Sequence, residues 1–212
     1  MPKRIKDTYQ KYLWIFISVN ILIFWSIFIY GTVNFDKINL NLYKFISIKS
    51  FIFFLSPIIT IVLNGIIPNS IKEVLVFWKV KNRLPGYRAF SHFAIKDPRV
   101  NIESLKDKVG EFPKEPKKQN RVWYSLCQQY RDDEIVWGSH RDFLITRDFT
   151  SLSFLFLLVF GTTLLLFNNS NYVFAYLGYL IIQYLSLSLA ARNYGNRFVC
   201  NVLAKASQVN NR

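Results

Sequence analysis

The sequence predicts an all-α polytopic membrane protein with four transmembrane helices and a small helical cytoplasmic domain inserted between spans two and three. Apolar residues make up 51% of the 212 residues, and they are concentrated in blocks without charge. The longest block lies between Asp148 and Arg192, with only the polar run 168–171 interrupting it. A hydrocarbon core about 30 Å thick needs about 20 apolar residues in a helix. This block therefore predicts two crossings joined by a tight turn.

Two further uncharged runs predict the first two spans. A basic segment, 1–11, precedes the first run, in which we place span one at 13–31. We favour an uncleaved span over a signal peptide because the run is long for such a peptide and has no Ala-x-Ala-like exit. Span two is placed at 50–71, and Pro57 is expected to bend it.

Between the two apolar halves lies a basic region, 72–148, which we interpret as a helical cytoplasmic domain. Span two is expected to continue as an exposed helix through Trp78–Arg83 until Pro85-Gly86 stops it. Farther along, Asn101 is a candidate cap for a short helix at 102–109, and Gly110 follows it as a stop signal.

The rest of the domain shows apolar residues at helical spacing. One apolar face runs from Val122 to Tyr130. Asp132 or Asp133 is then expected to cap a helix that continues without a break into span three, 149–167. After span four, the tail 192–212 carries an apolar stripe expected to pack on the domain, namely Phe198, Val199, Val202 and Leu203.

Charge placement predicts the orientation in the membrane. The chain holds 27 Lys and Arg and a net charge of +14, and only Lys37, Lys44 and Lys49 of these fall in the loops facing away from the domain. The positive-inside rule then places both termini and the domain on the cytoplasmic side of the membrane. The organisation is a tail and hairpin at 1–71, the domain at 72–148, a second hairpin at 149–191 and a tail at 192–212.

Candidate catalytic groups are sparse. The chain has two histidines, His92 and His140, and their spacing is not that of a helical metal site. Cys127 lies on an apolar face beside Trp123, which favours a packed core thiol over a nucleophile. Gly-rich phosphate loops and Gly-x-Ser-x-Gly elbows are missing from the sequence. We therefore expect no enzyme, no metal and no cofactor.

Neutral polar residues within the spans are candidates for a pore or gate. The spans contain no ionisable group of the kind that proton-coupled transporters use as relays. Amide and hydroxyl groups could line a water path or form hydrogen bonds to neighbouring helices. Hydrogen bonding between helices is the more common role of such residues. The pore or gate candidates are Asn20, Pro57, Thr60, Asn64 and Gln183.

Basic and aromatic residues are interleaved in the cytoplasmic domain. Cations hold phosphates and rings stack on bases, so this composition suits a nucleotide or a single strand. Anionic lipid headgroups would attract the same cations, above all those close to the membrane. The candidate ligand-binding residues are Arg83, Arg88, Arg99, Lys117, Lys118, Arg121, Trp123, Tyr124, His140 and Arg141.

Four stretches carry a resemblance to a known family. They are LPGYRAFSHFAIKDPR (84–99), QNRVWY (119–124), HRDFLITRD (140–148) and AARNYGNRFV (190–199). Together they resemble bacterial four-span membrane effectors of anti-phage defence, in particular the membrane effector of the Hailong system. The resemblance implies a homo-oligomeric ion channel controlled by short DNA oligomers, which a nucleotidyltransferase encoded nearby would make. Opening would depolarise an infected cell.

We therefore expect a homo-oligomeric pore, for example a tetramer, gated from the basic domain by a nucleotide or short DNA oligomer. Four spans are too few to enclose a water path comfortably, so several copies would surround it. The alternative is a non-conducting sensor or scaffold, similar to the membrane subunit of the Kiwa system, that recruits a cytoplasmic DNA-binding protein. A lipid-modifying enzyme would need a catalytic cluster that the sequence lacks.

Overall fold

The structure, a computed structural model, describes residues 5–32, 55–168 and 171–208, with the backbone alone at 29–32. These residues form helices and no strand, so the predicted all-α class is confirmed for them. The helices are α1 (Ile5–Thr32), α2 (Leu55–Ile66), α3 (Asn69–Phe77), α4 (Ile102–Val109), α5 (Pro116–Gln129), α6 (Glu134–Phe167) and α7 (Tyr172–Ala206). Between α3 and α4, a 3₁₀ turn (Pro85–Arg88), a π turn (Ala89–Phe93) and an α turn (Ala94–Lys96) follow one another.

Three helices in the described ranges are long and apolar enough to cross a membrane: Ile5–Phe28, α6 and α7. The predicted second span is not one straight helix. Its described part ends at Ile66, and α3 leaves it at an angle of 91°, so α2 and α3 give a fourth span only if the bent pair counts as one. The start of that span and the loop before it lie outside the described residues.

The break after α2 and the end of α3 both differ from what the sequence predicted. The break falls at Ile67-Pro68, because a proline supplies no N–H and clashes with the preceding turn. Pro57 lies inside α2, close to where the described part of that helix begins, and the bend expected there stays a prediction because residues 51–54 lie outside the described residues. The expected exposed helix through Trp78–Arg83 is wrong, since α3 ends at Phe77.

The chain divides into two compact units. The membrane unit comprises Met1–Lys72 and Asp148–Leu187, and the helical unit comprises Glu73–Arg147 and Ser188–Arg212. α6 and α7 each contribute to both units without interruption. The expected continuous helix from the domain into span three is therefore confirmed.

In the membrane unit, α1 and the membrane half of α6 run side by side in the same direction. Tyr9 contacts Asp148 near the start of both segments, and Phe24 stacks on Phe160 farther along, with ring centroids 4.3 Å apart. Asn168 then donates to the carbonyl of Ile27 at 3.0 Å. Aromatic pairs at this spacing add about 1 kcal/mol each beyond their burial, so the pairing of the two helices is well specified.

The helical unit is built around one hydrophobic core. Distant segments contribute large side chains to it: Phe90, Trp123, Phe143, Phe198 and Leu203 are all buried. Each such side chain contributes about 2 kcal/mol of transfer free energy. The stripe expected in the carboxyl-terminal tail lies in this core, so its predicted packing on the domain is confirmed.

One buried amide fastens the segment 85–96 to α5. Gln119 Oε1 accepts from the backbone N–H groups of Phe90 and Ser91 and from the Ser91 hydroxyl, each at 3.1 Å. At Gly86 the approach is so close that an added Cβ would lie 2.4 Å from Asn120 Oδ1 and 2.7 Å from Trp123 Cε3. The two stretches 84–99 and 119–124 are therefore the two sides of one packed interface.

Local capping signals predicted helix ends well in this unit. The Asn101 side chain accepts from the N–H of Ser104 at the start of α4, and Gly110 ends that helix with φ 76°. Asp133 accepts from the N–H groups of Ile135 and Val136 at the start of α6. Of the two caps proposed for α6, the structure selects Asp133.

Candidate functional site

The strongest surviving candidate for ligand binding is one face of α5, which we call the basic stripe: Lys117, Lys118, Arg121 and Tyr124. Lys117, Arg121 and Tyr124 recur at the spacing i, i+4, i+7, so they share one side of the helix. All four side chains are exposed. The opposite side of α5 places Gln119, Trp123, Leu126 and Cys127 in the interior, which fixes the direction in which the stripe faces.

The charges of the basic stripe are largely uncompensated. Lys118 approaches Glu115 at 3.7 Å, but its side chain is 70% exposed, and such surface pairs are weak. Within the described residues, Lys117 and Arg121 make no ion pair. Tyr124 adds a ring that is 56% exposed. Cations beside an accessible ring are the combination that holds phosphates and stacks bases.

Arg88 is a fifth accessible cation of the predicted set. It lies on the 3₁₀ turn that packs against α5, and its guanidinium lies 5.8 Å from the ring centroid of Phe93. Its side chain is exposed. Arg88 therefore belongs to the same part of the helical unit as α5.

Three other predicted ligand residues are engaged within the chain. Arg83 pairs with Glu73 at 3.2 Å, Arg99 with Asp97 at 2.8 Å and Arg141 with the adjacent Asp142 at 2.8 Å. The hydrogen bond from Arg99 lowers the pKa of the Asp97 carboxyl, which keeps that pair ionised. A phosphate ligand would have to compete with a carboxylate at each of these positions.

The predicted roles of Trp123 and His140 do not fit their surroundings. Trp123 is 6% exposed and packs edge-on against Phe198, so its faces are not open to a base. The His140 ring stacks on the same core residue, Phe198, with centroids 4.7 Å apart and planes 1° apart. Both residues are removed from the proposed ligand surface.

Cys127 is a core thiol. It is 5% exposed, and burial raises its pKa to about 11. A thiolate is the reactive form, so this environment suppresses nucleophilic chemistry at neutral pH. Within the described ranges, no three His, Cys, Asp or Glu residues lie together as a metal site would require.

The pore candidates lie in the membrane unit with differing exposure. Asn20 and Asn64 are buried, at 1% and 6% exposure, and Gln183 is half-buried. The side-chain carbonyl oxygens of all three lack a hydrogen-bond partner in the part of the chain that the structure describes. Thr60 donates to the carbonyl of Ser56 at 2.7 Å and is thereby satisfied within its own helix. Pro57 is half-buried.

A cavity of about 500 Å³ lies in the membrane unit among α1, α2 and α6. Aromatic and aliphatic side chains such as Trp25, Phe160 and Leu63 form most of its wall. Of the pore candidates, Thr60 alone lines it, and its hydroxyl is already bonded. This cavity is therefore an apolar space and not a water path.

Sequence reasoning missed a buried charged cluster in the membrane unit. Lys72 Nζ lies 3.3 Å from Asp148 Oδ1, and the Tyr9 hydroxyl donates to Asp148 Oδ2 at 3.1 Å. The side chains of Lys72 and Asp148 are 7% and 3% exposed. One signal could have found the pair: Lys72 ends the uncharged run of span two and Asp148 precedes that of span three, which places opposite charges at the same membrane edge.

The four stretches quoted above converge in the helical unit. Besides the contacts of Gly86 and Gln119 with their partners, a Cβ added at Gly195 would lie 3.1 Å from the Phe143 ring. Their shared structural role is the packing of this core. No protein-family model, curated protein or solved structure matches the chain.

Proposed function

We propose that the protein is a homo-oligomeric ion channel of a bacterial inner membrane, gated through its cytoplasmic domain by a nucleotide or short DNA oligomer. Both termini face the cytoplasm, and the bent pair α2–α3 supplies the fourth crossing. In this proposal opening depolarises a phage-infected cell, as the resemblance to the Hailong membrane effector implies.

The observation that carries the proposal is the pairing of two features in one chain. The basic stripe offers uncompensated charge and an accessible ring outside the spanning segments. The membrane unit keeps the carbonyl oxygens of Asn20, Asn64 and Gln183 buried without partners among the described residues. A buried acceptor without a partner costs about 1–3 kcal/mol. Neighbouring copies or pore water would remove that cost.

The direction of the helices agrees with this topology. Spans one and three must cross in the same direction when both termini are cytoplasmic, and α1 and α6 run parallel. α6 and α7 carry no break between the domain and the membrane. A ligand shifts the closed and open populations only if it binds one of them better, and these helices give its binding energy a route to the pore.

Liposome flux measurements test the proposal. Purified protein reconstituted in vesicles should pass monovalent cations or anions. Single-stranded DNA oligomers should change that flux. Lengths of two to about ten nucleotides match the length of one helix face. The charge-reversal variant K117E/R121E should lose the response to oligonucleotide while keeping basal flux, because its substitutions lie outside the spans.

The matched control is K96E/K106E, which alters net charge equally at exposed lysines outside the basic stripe. This variant should respond to the oligomer as the wild type does. Flux that is absent under every condition, together with a tightly bound cytoplasmic protein, would favour the scaffold. Equal loss of response in both variants would mean that the domain senses overall charge and not a ligand at α5.

A further inference from the structure

The four residues that follow α3, Trp78 to Lys81, form an exposed segment in which apolar and basic side chains alternate. Trp78 is 52% and Val80 76% exposed. Lys79 and Lys81 are exposed and make no ion pair within the described ranges. The nearby acidic residue Glu73 is already paired with Arg83. The segment therefore presents two large apolar groups and two free cations.

Contacts within the helical unit place this segment at the end of a membrane span. The Ser188 hydroxyl donates to the carbonyl of Val76 at 3.0 Å, and the Arg192 side chain donates to the same carbonyl. The Arg192 guanidinium lies 3.7 Å from the ring centroid of Trp78. Arg192 is the first charged residue after the long uncharged run. The first charge after a span marks the membrane–water interface, so Trp78 lies near that depth.

The backbone of the segment is held in an uncommon conformation. Trp78 has φ 52° and Asn82 has φ 48°, both in the left-handed region. That region is unfavourable for a bulky residue such as Trp and persists only where surrounding contacts impose it. Here the bond to Val76 and the stacked guanidinium fix the turn, and Val80 is left pointing away from the core.

We propose that residues 78–81 are an interfacial anchor that binds anionic phospholipid headgroups of the inner leaflet. Lys79 and Lys81 contact the phosphates, while Trp78 and Val80 enter the boundary between headgroups and acyl chains. Trp at this depth is favourable because its ring is amphipathic, and lysines next to a span are attracted to anionic lipid. The anchor does not depend on the pore and would exist in a protein that conducts no ions.

Quenching by brominated lipids in proteoliposomes tests the anchor. The Trp78 signal, taken as wild type minus W78F, should be quenched by lipids brominated near the headgroup more than by those brominated deep in the chain. Phe at this position keeps a ring for Arg192. Replacing part of the phosphatidylcholine with phosphatidylglycerol should raise the quenching about twofold at low salt. K79E/K81E should abolish that increase.

Trp137 supplies the negative control. It precedes Asp148, at the start of the membrane half of α6, by about 16 Å of helix. The Trp137 signal, taken as wild type minus W137F, should therefore not be quenched by either lipid.

A second readout uses V80C in a C200S background, labelled with a polarity-sensitive dye. Cys127 is buried and should not react with the dye. Its emission should shift to the blue in vesicles containing phosphatidylglycerol. If the Trp78 signal were not quenched and the dye at position 80 reported water, the anchor would be overturned. The exposed segment would then be expected to bind a protein partner. If quenching of Trp78 changed neither with phosphatidylglycerol nor with K79E/K81E, the proposed contact of Lys79 and Lys81 with anionic headgroups would be overturned.

Discussion

Two buried amides, one in each unit, differ in how their polar atoms are satisfied. In the helical unit, Gln119 is 1% exposed, its carbonyl accepts three hydrogen bonds and its amide donates to the carbonyl of Lys114. In the membrane unit, Asn20 is equally buried, and its amide donates to the carbonyl of Phe16. Its own carbonyl oxygen, like that of Asn64, has no partner in the described ranges.

This difference concerns the two amides and not the two units as wholes, because Asn120 Oδ1 and Trp123 Nε1 in the helical unit also lack a partner among the described residues. A fully bonded buried amide specifies a single packing, whereas a half-bonded amide carries an uncompensated desolvation cost. In the proposed assembly, a second copy or pore water would supply donors to the carbonyl oxygens of Asn20 and Asn64.

Breaking the charged cluster of the membrane unit should have the largest effect. K72M removes the ammonium group that lies 3.3 Å from the buried Asp148 carboxylate, and removing one partner of a buried pair typically costs about 3–5 kcal/mol. Equilibrium unfolding in detergent measures the loss. K79M, which changes an exposed lysine, is the control. The double variant K72M/D148L should recover most of the stability, and a K72M protein as stable as the wild type would show that the pair contributes little.

Removing the bonded amide should come next. Q119L leaves the N–H groups of Phe90 and Ser91 without their acceptor, at a cost of about 2–3 kcal/mol. The segment 85–96 should then be cleaved faster in limited proteolysis, and thermal unfolding should start earlier. Q128L on the exposed side of α5 should change neither. Equal protection in the two variants would contradict the role given to Gln119.

A smaller, pH-dependent effect is expected at the cap of α6. A hydrogen bond from Lys205 lowers the pKa of the Asp133 carboxyl, so its stabilisation is complete above the usual Asp range and declines as pH falls through the lowered value. D133N should cost about 1 kcal/mol at pH 7, and the difference from wild type should vanish in acid. D132N, at an 88% exposed side chain, should match the wild type throughout. If D133N stayed less stable than wild type by the same amount in acid, the charge of Asp133 would not be the source of its stabilising effect.

The smallest change in stability, and the sharpest contrast with Q119L, is expected for N64L. Removing an unpaired acceptor should leave the unfolding free energy of the single chain within about 1 kcal/mol of wild type or raise it. Flux and oligomer size in liposomes should nevertheless fall if Asn64 bonds to a neighbour or to pore water. If N64L showed normal flux and assembly, Asn64 would have no role beyond packing between helices.

Sequence predicted most helices because their signals are local. Asn101 and Gly110 bracket α4, and no proline interrupts α6 between Glu134 and Phe167. The bend at Ile67-Pro68 was missed because the length of an uncharged run fixes how far a helix can reach and not where it turns. Pro57 and Pro68 carry the same local signal, and α2 ends just before Pro68.

The candidate site was recovered in part for a similar reason. Arg141 and Asp142 are neighbours and Asp97 is two positions from Arg99, so their pairing was readable from sequence, whereas the Arg83–Glu73 pair depends on the turn after α3. Trp123 and Tyr124 are adjacent, yet Trp123 is in phase with Leu126 and Cys127 and is buried with them. Had we considered the helical spacing of these residues before their chemical type, Trp123 would have been assigned to the core and the basic stripe would have remained as the candidate site.

The parallel contact between α1 and α6 has a consequence for biosynthesis. Tyr9 and Asp148 are 139 positions apart, and Ile27 and Asn168 are 141 apart. When α1 enters the bilayer, the helix that covers its aromatic side has yet to be translated. Its Phe16 and Phe24 rings and the Asn20 amide must therefore remain in contact with lipid, or with an insertase, until residues 73–147 and then the membrane half of α6 have been translated.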